Sequence, residues 1–89
     1  MTQFQICFST NTPDCVPFIH DLLLHELQGY TIFTAFGAWK GQKERAYMVS
    51  YIGKESESVK IWEIAKAIKA RFSQEAVLVT MHPVTTALV

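Results

Sequence analysis

An α+β sandwich with its elements in the order β-α-β-β-α-β is the architecture that the apolar periodicities of this sequence predict. Three observations carry it. Near the start, Phe4, Ile6 and Phe8 alternate with Gln5, Cys7 and Ser9, the period-two pattern of a half-buried strand. Residues 59–72 switch to the helical period, with Ile61, Ile64, Ala65, Ile68 and Phe72 on one stripe and Lys60, Glu63, Lys66 and Lys69 outside it. Between them, residues 30–53 read YTIFTAFGAWKGQKERAYMVSYIG. Two aromatic and β-branched runs flank the polar link AWKGQKE, with Gly37 and Gly41 at the expected turn, which is a hairpin signature with a loop slightly longer than the minimum.

The remaining elements follow in order. STNTPD is a loop by composition, Asp14 is placed to cap a helix, and Pro17 fits a first helical turn, where no internal amide bond is lost. Ile19, Leu22, Leu23 and Leu27 then recur at helical spacing, so a helix is expected over residues 15–28, stopped by Gly29. In the hairpin, Tyr30, Ile32, Thr34 and Phe36 share one face and Thr31, Phe33 and Ala35 the other. In its second strand, Ala46, Met48, Ser50 and Ile52 oppose Arg45, Tyr47, Val49 and Tyr51. Both faces carry large groups, whereas a sheet covered on one side only alternates more cleanly. The second face is therefore expected to be covered too, by another subunit. The link GKESES ends in a serine expected to cap the second helix. AVLVTM, residues 76–81, is a short apolar strand that His82-Pro83 is expected to break, and TTALV, residues 85–89, has the composition of a short fifth strand at an edge. This order is the ferredoxin-like split arrangement, two helices on one face of an antiparallel sheet.

The chain's 89 residues suit one domain. A chain so small and 49% hydrophobic hides its apolar surface most simply by associating with itself, as a dimer or trimer. Zero formal net charge argues against nucleic acid as a partner, because phosphate binding needs clustered excess cation. Cys7 and Cys15 form neither a disulfide framework nor a zinc pattern, which points to a reduced, cytoplasmic setting. The opening MTQFQICFST lacks the features of a secretion signal, and no stretch reaches the roughly 18 apolar residues of a membrane span. No membrane partner is expected.

Several residues resemble known families. Gly29 and Thr31, then Gly37-x-Trp39, then Phe72, Gln74, Glu75 and Val77 resemble a pattern in a group of small phage and bacterial proteins, a domain of unknown function. The resemblance covers roughly the C-terminal two-thirds. It implies a ferredoxin-like fold and a phage-type accessory role, and it supplies no catalytic residues. In topology and size the chain is also similar to the trimeric PII and CutA proteins, whose hairpin loops lie near clefts between subunits. In PII proteins those clefts bind adenine nucleotides.

The chemistry concentrates at the hairpin. Trp39 can stack on a base, and Lys40, Lys43 and Arg45 can meet a phosphate or carboxylate, with Tyr47 on the same strand. The competing reading is a structural tip, with Trp39 closing the core and the cations solvated, since charge at a hairpin tip also deters edge pairing. His82 is a further candidate ligand contact, against a plain turn marker. His20 and His25 lie five apart, about 140° around a helix, so they do not form a metal pair, although Asp21 can pair with His25. No metal or cofactor is expected. Cys15 lacks an assignable base, and neither a glycine-rich phosphate loop nor a nucleophile elbow is present. No catalytic residue is assigned, and the reading leans away from an enzyme. The function these features favour is a small oligomeric protein binding an anionic ligand such as a nucleotide or signalling nucleotide. The alternatives are a module that binds and regulates a host protein through the hairpin or an edge strand, and a small enzyme of the same fold with an enclosed cavity.

Overall fold

The computed structural model describes residues 1–12 and 15–89. The helix cap expected at Asp14 lies outside the described residues. Strand β1 (Thr2–Ser9) is followed by helix α1 (Cys15–Leu23), the hairpin β2 (Thr31–Trp39) and β3 (Gln42–Gly53), helix α2 (Ser58–Arg71) and strand β4 (Leu78–Pro83). The four strands form one antiparallel sheet in the order β2-β3-β1-β4, with β1 and β3 central. This is the ferredoxin-like arrangement that the periodicities predict.

The register explains the core. Phe4, Ile6 and Phe8 pair with Tyr51, Val49 and Tyr47, so the odd-numbered side chains of β3 join the even-numbered ones of β1 beneath the helices. Ile19 and Leu23 of α1 and Ile61, Ile64 and Ile68 of α2 close over them, all buried. Each such side chain removed from water contributes on the order of 1.5–3 kcal/mol. Stacking continues the layer: Phe8 lies between Tyr47 at 5.7 Å and Phe72 at 5.8 Å.

Several boundaries differ from expectation, each for a local reason. α1 ends at Leu23, and turns bonded to the His20 and Leu23 carbonyls carry the chain on, still burying Leu27, so the apolar stripe outlasts the helix. The hairpin link shrinks to a two-residue turn. Lys40 and Gly41 take φ of 49° and 79°, the doubly left-handed geometry whose twist matches the flanking strands. Gly37 and Trp39 are therefore in β2, and Lys43 and Arg45 in β3. Ser58 is the first residue of α2 and not its cap. The link instead makes one 3₁₀ turn, Glu55–Glu57, in which the Glu57 carboxylate accepts from the Lys54 backbone N–H at 2.7 Å and from the Tyr51 hydroxyl at 2.7 Å. The Tyr51 bond, then the Lys54 bond, hold the Glu57 carboxyl below its ordinary 4.5. Burial, then the same bond, push the Tyr51 hydroxyl up to about 12. His82 and Pro83 do not break β4 but end it, since proline's missing N–H costs little at a sheet edge. No fifth strand forms over residues 85–89, which lie exposed. His20 bonds the Tyr30 hydroxyl at 2.7 Å, and no Asp21–His25 ion pair forms.

The sheet's other face is not polar. Phe33, Met48, Cys7 and Leu78 pair in turn across all four strands, forming one apolar row. Phe33 and Leu78 are half or more exposed. No described helix is long and apolar enough to cross a membrane.

Candidate functional site

A two-residue turn closes the hairpin tip, and β1 ends on the same side of the sheet. Ser9 pairs with Ala46, so the following loop, Thr10 to Thr12, rises against the tip. The connection leaving α2 closes the third side. Its direction reverses at Ser73, which has a φ of 51°. These three segments enclose an open cleft of about 830 Å³. Trp39, Lys40, Gln42, Lys43 and Glu44 form one wall, Ser9, Thr10, Asn11 and Thr12 the second, and Phe72 and Gln74 the third. The volume lies in the range of small-molecule sites, although the lining is more polar than most.

Hydrogen bonds tie the walls together. The Ser9 hydroxyl donates to Glu44 Oε2 at 2.8 Å, and the Ser9 N–H donates to Gln74 Oε1 at 3.4 Å. Thr12 N–H donates to Thr10 Oγ1 at 3.1 Å, which shapes the loop. Lys40 Nζ meets Glu75 Oε1 at 2.6 Å, linking the tip to the α2–β4 connection. Both side chains are solvated, so this pair adds less than about 1 kcal/mol and serves mainly to place the lysine. The cleft floor is firmer. Phe72 is buried, stacked on Phe8 and edge-on to Phe18 at 5.5 Å, with the Arg71 guanidinium 5.2 Å from its centroid.

The structure brings together three of the six candidate residues. Trp39 stands 54% exposed on the cleft wall rather than closing the core, with Lys40 and Lys43 beside it. Arg45 lies just outside, in a shallow depression shared with Phe36, Gly37, Lys43 and Glu44. Tyr47 is a core residue stacked on Phe8. His82 pairs with Gln3, six residues from Ser9 along β1, and so stands about 20 Å from the cleft. Among the described residues, the two ion pairs are Lys40–Glu75 and Lys66–Glu63, so neither Lys43 nor Arg45 is matched to a carboxylate. Sequence reasoning passed over Ser9, Thr10, Asn11, Thr12, Glu44 and Gln74. The hydroxyl-rich STNT run was the available signal, but only the strand register reveals that it faces the hairpin tip.

The arrangement offers one flat aromatic surface, amine cations, one carboxylate and a row of hydroxyl and amide groups. It suits a ligand with a planar ring and charged substituents. No protein-family model matches the sequence, and no curated protein is similar to it. Solved structures are similar in fold. A phage SAM lyase in the apo state superposes with a TM-score of 0.71 at 18% identity, over 91% of this chain and 78% of that one. A DUF3240 family protein from Shewanella baltica OS155 gives 0.63 at 12% identity, over 99% and 94%. The periplasmic divalent cation tolerance protein CutA from Archaeoglobus fulgidus gives 0.59 at 22% identity, over 99% and 88%. At these identities the likeness establishes a shared ferredoxin-like fold, which this chain has in common with a phage protein and with CutA.

Proposed function

We propose that this protein is a small homo-oligomer that binds a nucleotide-like ligand in the hairpin-tip cleft. The observation that carries the reading is the half-exposed Trp39 ring on the wall of a cleft that also holds Lys40 and Lys43. An indole held open to solvent costs free energy unless something covers it, and a base does so by stacking. Lys43 supplies charge for a phosphate or carboxylate, and Ser9, Thr10 and Asn11 supply bonds to sugar hydroxyls. The test is calorimetric titration with mononucleotides, cyclic nucleotides and SAM. Trp39 fluorescence, isolated in a Trp62→Phe background, provides a second readout. Saturable binding is expected, lost in Trp39→Ala, Lys43→Ala. No binding across the panel, or equal binding by the double variant, overturns the reading.

A second reading has SAM as the ligand and its cleavage as the outcome. It is supported by the fold shared with the phage SAM lyase and by Glu44, whose carboxylate gives the cleft a negative group suited to a cationic ligand. Loss of SAM on incubation with the protein, abolished in Glu44→Gln, would establish it over simple binding.

A further inference from the structure

Strand β2 is a sheet edge of an unusual kind. Its nine residues, TIFTAFGAW, contain no charge and no proline. Phe33 is 50% exposed on one face and Phe36 is 85% exposed on the other. Its outer side has no backbone hydrogen-bond partner among the described residues. Long uncharged apolar edges template pairing with another chain, and natural edges usually carry lysine, proline or a bulge to prevent it. At the opposite edge, residues 84–89 run on past β4. The Val84 N–H donates to the Met1 carbonyl at 3.0 Å, continuing the ladder for one step. Leu88 and Val89 are then fully exposed, in a segment, VTTALV, that is also uncharged and rich in strand-forming residues.

We propose that residues 85–89 of one copy add as a strand to the free edge of β2 in a second copy. One contact then satisfies both exposed features. Leu88 lies on one side of the added strand and Val89 on the other, as β2 presents Phe33 and Phe36 on opposite faces. A copy cannot satisfy its own edge. From β4 to the position outside β2 is four strand spacings, about 19 Å at ~4.8 Å each. Residues 84–89 reach at most about 20 Å when fully extended, so crossing the sheet leaves none to lie along β2. This proposal rests on the homo-oligomer proposed above and is independent of the ligand.

The experiment is molar mass by light scattering on the full chain, on a chain truncated after Val84, and on Phe36→Glu. The full chain is expected to assemble. The truncated chain and Phe36→Glu are both expected to run as monomers with unchanged circular dichroism, because the altered groups lie outside the core. A truncated chain that keeps the assembled mass overturns the donated tail. If Phe36→Glu alone dissociates, the edge pairs with another β2 and the proposal is equally overturned. A monomeric full chain removes both the tail contact and the assembly it rests on, while leaving the titrations at the cleft to be read separately.

Discussion

Replacing Tyr51 by phenylalanine removes one hydroxyl and leaves the ring in place against Phe4, 6.2 Å between centroids and 21° between planes. What is lost is the 2.7 Å bond to Glu57, the group that reaches back over the start of α2. A hydrogen bond to a charged acceptor contributes about 1.5–3 kcal/mol when buried. Here the bond is only partly buried, and solvent screening brings the expected loss down to about 0.5–1 kcal/mol. For a domain of this size that is a fall in Tm of about 2–8 °C. The pH dependence identifies the cause. The Glu57 carboxyl is depressed in the folded state, so its contribution is present above its unfolded value near 4.5 and is lost as pH falls through the folded pKa. The Tyr51 hydroxyl is raised to about 12, so the same bond is lost again as pH rises from about 10 through 12. Urea unfolding followed by circular dichroism at pH 7 and in steps down to pH 3 measures both. The gap between the parent and Tyr51→Phe is expected to be open at pH 7 and to narrow as pH falls below the ordinary carboxylate value. A gap of equal size at both pH values refutes the reasoning, because it would place the effect in packing. Gly53→Ala provides a check, since its added carbon meets the Glu57 carboxylate and lies 2.6 Å from the Tyr51 ring. It breaks the same bond from the other side, so its cost is not additive with Tyr51→Phe.

Further outcomes follow from burial and exposure. Ile61→Ala, at a fully buried position, is expected to cost about 2–5 kcal/mol in urea unfolding, while Val59→Ala, two residues away and mostly exposed, stays within about 0.5 kcal/mol. Lys40→Ala removes the solvated pair with Glu75 and is expected to lower stability by less than about 1 kcal/mol, a difference that fades in 1 M salt by thermal melts. Trp39→Ala should leave the melting temperature nearly unchanged yet weaken nucleotide binding about 5- to 150-fold by calorimetry, because stacking on an aromatic contributes about 1–3 kcal/mol per base.

Much of the fold was legible because two periods alternate cleanly. Phe4, Ile6 and Phe8 can all be buried only by a strand, and the stripe from Ile61 to Phe72 only by a helix. Local chemistry was harder to read where one residue type serves two geometries. Gly37 and Gly41 look alike in sequence, yet only Gly41 takes the left-handed turn, and that shifts Trp39 from loop to strand. Leu27 keeps the helical spacing of α1 after the helix has ended, because burial requires the side chain to point inward but not the backbone to stay helical. His82 and Pro83 read as a break, but an edge strand tolerates them.

The candidate site divides the same way. Its aromatic and cationic members are neighbours in sequence, so Trp39, Lys40 and Lys43 could be proposed from composition alone. Their partners could not. Ser9 and Glu44 are 35 residues apart, and Ser9 and Gln74 are 65 apart. Ser9 meets Glu44 because β1 pairs with β3, and it meets Gln74 because β1 also pairs with β4, which the connection carrying Gln74 leads into. The sequence by itself determined the element order, the buried stripes and the apolar character of both sheet faces, since these depend on side-chain periodicity along one segment. Tertiary structure decided which residues form the cleft, that Tyr47 belongs to the core, that His82 stands at the far end of the sheet, and that β2 lies at the sheet's edge. Those depend on strand order and register, which are set by contacts between segments distant in sequence.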